Sequence, residues 1–385
     1  MAIEVKLCDE VMDKLKNKEG KVMAVQVAPA VRVSIGEEFG MAPGEIVVGR
    51  IVHALRKLGF DYVFDTNFGA DLTIIEEASE LKERVLNKKT LPLFTTCCPG
   101  WYRFVEQMFP EFFPHLSTVK SPQAMLGSLT KTYFAEKINK NPEDIFHVVI
   151  APCVIKKYEA TRKRIWVHRD KNIPNIDCVL TTREICNVIV NSDFDIKNLD
   201  REEDFDHPLG LASGGGAIFG TVGGVMEAML RTLYYYINEK DLENFELETV
   251  RTTENFSEGK FKVNDDITVK YAIINGLSEA KKMLDRLKKD GSLPYDVVEV
   301  MACPLGCIGG AGQPMPVDDE VLQKRREAIL EYQKGHKYHA AYQNPEIKQL
   351  YDEYLGEPLK GKARELLHAD YKDRSGEQFC IVPHV

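Results

Sequence analysis

Short apolar runs alternate with amphipathic stretches along most of this chain. Residues 22–27 are almost uninterrupted apolar side chains and predict a short buried strand. Residues 44–58 carry helical spacing, 62–64 a second brief strand, and 71–86 a longer helix. A strand at 91–95, a helix at 122–138, a strand at 146–150, a strand at 178–180 and a helix at 183–190 continue the alternation. A polar, acidic stretch over 191–208 interrupts it, and glycine-rich residues 213–224 lead into a helix at 225–236. A strand at 267–274, a helix at 278–287 and a strand at 297–301 close the series. From residue 319 the pattern is helical and charged, with breaks near Gly335, Asn344 and Gly356. Strands that alternate with helices imply an α/β fold, its parallel or mixed sheets flanked by helices. The C-terminal helical extension is expected to wrap around the main body.

Composition sharpens this picture at one point. Five of the nine cysteines sit in three short segments: Thr95-Thr96-Cys97-Cys98-Pro99-Gly100-Trp101, Ala151-Pro152-Cys153, and Met301-Ala302-Cys303-Pro304-Leu305-Gly306-Cys307. Each follows a predicted strand, at the carboxyl edge where open α/β sheets place their ligands. An odd number of cysteines in 385 residues does not suggest a disulfide scaffold. Reduced thiols and metal ligands of a cytoplasmic protein are the expectation. The net charge of −9 argues against a nucleic-acid partner, which requires a dominant basic face. No apolar run reaches the length of a membrane span, and residues 1–21 mix charges without the apolar core of a secretory signal.

Iron–sulfur clusters are usually held by four thiolates from loops of this kind, and Cys98, Cys153, Cys303 and Cys307 could supply four. The Cys-x-x-x-Cys spacing is unlike the paired knuckles of structural zinc, and no His-x-x-x-His pair completes a zinc set. Gly306, Gly309, Gly310 and Gly312 surround Cys307 and let backbone approach a cofactor closely. Cys8, Cys178, Cys186 and Cys380 stand alone and read as inert thiols.

The three segments resemble the three signature motifs of the iron-only, or FeFe, hydrogenases, from about Val22 to the C-terminus. The first family pattern, Thr-Ser-Cys-Cys-Pro-Gly-Trp, stands here with Thr96 for Ser. The second, Met-Pro-Cys-x-x-Lys-x-x-Glu, stands as Ala151 to Glu159. The third runs from Glu299 to Pro314 with Ala311 replacing a Gly.

The resemblance implies an H-cluster, a 4Fe4S cubane joined through a cysteine sulfur to a two-iron unit with CO, cyanide and an azadithiolate. Residues 1–318 would be a catalytic domain of two α/β lobes with the site between them, and 319–385 a helical segment wrapping it. Cys98, Cys153, Cys303 and Cys307 would ligate the cubane, with Cys307 bridging to the two-iron unit. Lys156 would donate to cyanide, and Ala28, Pro29, Gln123, Phe219 and Met301 would line the pocket. Proton transfer would run through Cys97, Glu77, Ser117, Glu80 and a surface Arg84. Glu77, Glu80 and Arg84 fall at i, i+3 and i+7 on one helix face.

Two departures stand beside the metal site: Ala151 where the family usually has Met, and Ala30 where it often has Ser. Such replacements tune potential and gas access rather than abolish a site. The first 90 residues contain only Cys8, so no accessory clusters are expected and electrons would come from a soluble carrier, most plausibly a ferredoxin. Docking of an acidic carrier points to Arg162-Lys163-Arg164 with His168, Arg169 and Lys171. The two-iron unit would need dedicated maturation enzymes.

Rival readings are a hydrogenase-like redox sensor and an iron–sulfur assembly scaffold without H2 turnover. Sensor forms tend to lose the relay thiol, which this chain keeps as Cys97. A dinucleotide loop at Gly214 to Gly220 is a weak signal, because its spacing is wrong and no strand precedes it.

Overall fold

In the computed structural model, which describes residues 2–167, 170–192, 194–303 and 305–377, the valine-rich run becomes β1 (Val22–Val27), the inner strand of a sheet. β1 pairs in parallel with β2 (Tyr62–Asp65) on one side and with a later strand (Ile145–Ala151) on the other. With β3 (Leu93–Phe94) in the second sheet, that later strand is β4, and β5 (Cys178–Thr181) lies beyond it, giving the order β2-β1-β4-β5, parallel throughout. Apolar side chains on both faces of β1 and β4 are buried, and burial of each Val or Ile contributes roughly 1.5–3 kcal/mol. Gln26 is the buried polar exception, and it is satisfied: its Nε2 donates to the Gln123 carbonyl at 3.1 Å and its Oε1 accepts from Thr66 at 2.8 Å.

The second sheet has the order β3-β8-β7-β6, with β6 (Phe256–Lys262), β7 (Thr268–Asn275) and β8 (Val297–Met301). β3, β8 and β7 run parallel, and β6 adds an antiparallel edge. The fold is the α/β arrangement of parallel and mixed sheets expected from the alternation.

A 21-residue helix, Thr66–Leu86, runs through the interior, buried at every position from Thr66 to Ala78. It starts five residues before the expected 71 because Asp65 caps it, accepting from the Asn67 amide at 2.9 Å while paired with buried Arg32 at 2.7 Å. At Gly69 a β-carbon would lie 2.3 Å from the Pro122 carbonyl oxygen, so only glycine lets the Pro122–Leu129 helix pack this closely. The helix expected over 122–138 is present, with a π turn at Thr130–Phe134 before its last residues. The helix expected at 44–58 shortens to Val48–Leu58. The glycine-rich stretch makes a short helix, Gly214–Ala217, packed on the long helix: a β-carbon on Gly216 would be 2.6 Å from the Asn67 carbonyl. Close packing accounts for these glycines.

Absent from the sequence expectations are the helices Ala2–Lys16, Pro99–Met108 and Ile155–Ala160, and strand β6. β6 is polar and carries Gly259 at its middle, and its residues are exposed or half-buried, so no apolar alternation marks it. The C-terminal helix Asp319–Tyr332 is followed by Pro345–Leu350 and Gly361–Leu367. Residues 367–369 lie against 118–120: the Lys120 amide donates to Leu367 O and the Ala369 amide to Thr118 O, each at 2.8 Å.

Every cysteine segment leaves the carboxyl end of a strand. Cys97 and Cys98 follow β3, Cys153 follows β4, and Cys303 follows β8, so both sheets contribute. The turn into Cys307 passes through Gly306 at φ 95°, ψ −159°, a backbone region essentially restricted to glycine. A β-carbon there would also meet the Gly220 carbonyl oxygen at 2.8 Å. Gly306→Ala is therefore expected to lower unfolding stability by about 1–3 kcal/mol in denaturant titrations. Gly335→Ala, at a site with open space around it, is the matched control and should be near neutral.

Candidate metal centre

Cys98 is the residue before the first turn of the Pro99–Met108 helix, and its sulfur faces the Trp101 and Ala302 amides. Burial nevertheless dominates and raises its thiol above the ordinary value. Cys153 and Cys303 are hydrogen-bonded to each other, which draws the Cys153 thiol down to about 6 and pushes that of Cys303 up. Cys307 opens a short 3-10 turn, and burial, followed by the charges of Cys98 and Cys153, raises it to about 12. The four thiols thus form one electrostatically coupled group, drawn from three loops.

No three His, Cys, Asp or Glu side chains among the described residues close on a single point as a lone metal ion requires. A cubane makes a different demand, since each thiolate binds an iron at its own corner. Four coupled thiols, glycine turns without room for side chains and a nearby half-buried cation fit such a group.

That cation is Lys156. Its ammonium donates to Glu159 at 2.9 Å and to the Cys97 carbonyl at 3.1 Å. Burial works against its charge, but Glu159 and the neighbouring cysteines outweigh it and hold the pKa above the ordinary lysine value. Glu159, buried, is itself held by Gln123 Nε2 at 2.7 Å and by the Tyr102 hydroxyl at 3.2 Å. Gln123 Oε1 is buried and without a hydrogen-bond partner among the described residues. Ala28 and Pro29 follow β1, Phe219 lies in the turn Ile218–Gly220, and Met301 ends β8; all four are buried. Ala30 and Ala151, the two departures, are fully buried as well.

The third motif is tied to the first sheet by Gln313. Its Nε2 donates to the Ala30 carbonyl at 2.9 Å, and its Oε1 accepts from Ser34 at 2.8 Å and Thr182 at 2.7 Å. Sequence reasoning quoted Gln313, Glu159 and Glu299 within motifs but gave them no role, and it missed Tyr102. Glu299 accepts from the Gly223 and Met226 amides, each at 2.7 Å, and burial raises its carboxyl to about 7.

On the other side of Cys97 the expected relay residues gather in order. Burial, then the charge of Glu77, raises the Cys97 thiol well above its ordinary value, so it stays protonated. Glu77 is 1% exposed, and neither of its oxygens has a well-formed hydrogen bond among the described residues. Burial, then Glu80, raises its carboxyl to about 8, with a smaller opposing pull from Ser117 and the Thr96 amide. Ser117 donates to Glu80 at 3.0 Å, and Glu80 pairs with Arg84 at 2.7 Å. Arg84 is not a surface arginine: it is only 9% exposed and donates to the carbonyls of Thr90, Pro114 and Leu116. It lines an open pocket of about 370 Å3 together with Glu80, Glu83 and Lys89, so the row of polar groups still reaches solvent there.

The expected carrier patch is corrected more strongly. Arg162 is 4% exposed and its Nη2 donates to both Glu106 oxygens, at 2.6 and 2.8 Å, and Arg164 joins the same carboxylate at 2.8 Å. A carboxylate on the adjacent helix has drawn these guanidiniums inward. Lys163 and Lys171 are exposed, whereas His168 and Arg169 lie outside the described residues. Among the lone cysteines, Cys8 is half-buried, Cys178 and Cys186 are buried with thiols raised by burial, and Cys380 lies outside the described residues.

Coupled thiols at the carboxyl ends of strands from two sheets, with a surplus thiol beside buried carboxyls, are suited to hold an iron–sulfur cluster. The chain belongs to the FeFe hydrogenase family: residues 21–311 match the family model described as iron only hydrogenase large subunit, C-terminal domain, and residues 319–374 match that described as iron hydrogenase small subunit. It is 42% identical over 373 residues to the NADP-reducing hydrogenase subunit of Solidesulfovibrio fructosivorans, covering 95% of this chain and 62% of that one. It is 40% identical to iron hydrogenase 1 of Clostridium pasteurianum, covering 94% of this chain and 63% of that one. The chain therefore spans less than two thirds of either relative. A mouse protein named nuclear prelamin A recognition factor is 33% identical over 91% of this chain and 76% of its own length. Among solved structures, a variant of the apo FeFe hydrogenase from Chlamydomonas reinhardtii superposes with a TM-score of 0.83 at 39% identity, covering 96% of this chain and 99% of that one. No helix among the described residues is long and apolar enough to cross a membrane.

The raised carboxyl of Glu77 has a thermodynamic consequence. Between its ordinary value of 4.5 and the folded value of about 8, the folded protein keeps a proton that the unfolded chain has released. This group therefore subtracts stability progressively as pH rises through that interval, and the loss is complete above about 8. Glu77→Gln removes the effect, so the stability of the variant relative to the parent should rise by about 1–3 kcal/mol between pH 5 and pH 8 in urea titrations. A difference independent of pH would mean that Glu77 titrates normally.

Proposed function

We propose that the chain is a hydrogenase that interconverts two protons and two electrons with H2, using an H-cluster and an external electron carrier. Residues 1–318 are taken as the catalytic unit and 319–385 as the segment that clasps it. Cys98, Cys153, Cys303 and Cys307 would hold the cubane, and Cys307 would bridge to the two-iron unit. When bound, the cluster supplies the redox centre and the open iron at which hydrogen is formed or split. The protein contributes orientation, charge and proton movement.

Lys156, kept cationic by Glu159, is suited to donate to anionic cyanide ligands, and Gln123 Oε1 offers an unused acceptor beside it. Ala28, Pro29, Phe219 and Met301 keep this surface apolar and exclude water. The observation that carries the reading is Cys97, a fifth thiol surplus to four ligands and electrostatically coupled to Glu77. Held protonated, it can give its proton toward the metal site and be recharged from Glu77, whose carboxyl at about 8 is itself protonated at neutral pH. Ser117 and Glu80 continue the hydrogen-bonded route, and Arg84 fixes Glu80 at the mouth of the pocket. A scaffold or sensor has no need of this row.

Reduced ferredoxin, or a similar soluble carrier, is the proposed electron partner, and maturation enzymes the proposed source of the two-iron unit. Two relatives, the mouse protein above and the zebrafish cytosolic Fe-S cluster assembly factor at 29% identity, make the scaffold reading the one to exclude. Infrared bands of iron-bound CO and cyanide in matured protein, together with H2 evolution, decide for the hydrogenase. With a reduced dye as donor, Cys97→Ala should keep the iron and sulfide content of the cubane while turnover falls about 100-fold or more. Ser117→Ala should lower turnover by a smaller factor, and parental turnover in Cys97→Ala would remove the relay.

A further inference from the structure

Strand β6 closes the second sheet on one side, and its outer edge has no strand beside it among the described residues. The ladder to β7 fixes which groups that edge leaves free. Asn275 N donates to Asn255 O and Val263 N to Ile267 O, each at 2.9 Å, so the odd-numbered positions of β6 are the hydrogen-bonded ones. Phe256, Glu258, Lys260 and Lys262 therefore turn their backbone N–H and C=O groups outward, and all four residues are exposed. An edge of this kind accepts an added strand unless something on it repels one.

Lysine is the usual repellent, yet the lysines here lack the balance that a lone chain would be expected to give them. Lys260 lies directly opposite Lys270 of β7 in a closely spaced pair, and neither ammonium has an ion pair among the described residues. Like charges opposite each other across a ladder are destabilising. Lys262, by contrast, is matched by Asp265 at 2.6 Å. Glu258 accepts from the Tyr295 hydroxyl through one oxygen, which leaves its second oxygen for a cation. Phe256 keeps a large apolar side chain 37% exposed at the start of the strand.

The strand complements these groups when it is laid against itself. Two copies placed antiparallel about Gly259 bring Glu258 opposite Lys260, Lys260 opposite Glu258, and Phe256 opposite the aliphatic stem of Lys262. Outward-turned residues then meet only outward-turned residues, so each of these pairs is of the hydrogen-bonded type and both backbones are satisfied. On the other face Gly259 meets Gly259, and no side chain obstructs the axis. A shift of two residues would instead set Glu258 against Glu258 or Lys260 against Lys260 there. We propose that β6 is a docking edge for a second copy of this chain, joining the two sheets into one across a two-fold axis. The contact is narrow, below the roughly 1,200 Å2 that a stable dimer buries, so association depends on concentration. It uses no residue of the metal centre, and its outcome stands apart from the hydrogenase reading.

The test is sedimentation velocity of the full chain at low ionic strength, over about 5 to 500 µM, where a reversible monomer–dimer equilibrium is expected. Glu258→Lys and, separately, Lys260→Glu set like charges opposite each other twice in the dimer, and each should weaken self-association about tenfold or more. An equimolar mixture of these two variants opposes unlike charges again and should dimerise as the parent does. The double variant, Glu258→Lys with Lys260→Glu, restores the same complementarity within one chain and should also match the parent. A folding defect cannot produce either rescue. A parent that stays monomeric to the top of that range, a dimer unmoved by both single variants, or a mixture that remains monomeric would overturn the proposal.

Discussion

A half-buried lysine ammonium beside thiols is the constraint from which much of this site follows. Lys156 keeps its charge with Glu159 2.9 Å away, and Glu159 also accepts from Gln123 and Tyr102. Breaking one member of such a buried network leaves an uncompensated charge, whereas the intact network fixes positions closely. These side chains come from the segment after β4 and from the Pro99–Met108 and Pro122–Leu129 helices. The electrostatic requirement at Lys156 thus also sets how three elements meet.

Cys97 sits where two opposite environments touch. Through its carbonyl it helps hold a cation, and through its thiol it faces the buried carboxyl of Glu77. Low dielectric keeps both the thiol and that carboxyl protonated at neutral pH, a condition solvent exposure would remove. Burial of the long Thr66–Leu86 helix is what produces the state. The same helix then carries Glu80 and Arg84 outward one turn at a time.

Much of this was legible in the sequence because it rests on short-range signals. Strands long enough to be buried showed as apolar runs, and the cysteines were expected at their carboxyl ends, as found for β3, β4 and β8. The helical spacing of Glu77, Glu80 and Arg84 placed them on one face, and the Glu80–Arg84 pair lies on it. What escaped was decided by partners far away in the chain. Arg162 looked like free surface because Glu106, fifty-six residues earlier, cannot be matched to it by pattern. Arg84 was expected at the surface, but the carbonyls of Thr90, Pro114 and Leu116 fold over it. β6 was invisible because its half-buried face carries Ser257, Gly259 and Phe261, which give this edge strand no run of alternating apolar residues to display.

The closing contact of the chain also has a bearing on how the protein behaves in dilute solution. Residues 319–374 match a family described as a small subunit, yet here they follow residues 21–311 in one polypeptide and hold residues 367–369 against 118–120, next to Ser117. Joining two partners by a short connection turns their association into a unimolecular event, with an effective concentration of roughly millimolar. Occupancy of the clasp is thereby decoupled from how much protein is present, and the neighbourhood of Ser117 keeps its shape at any dilution.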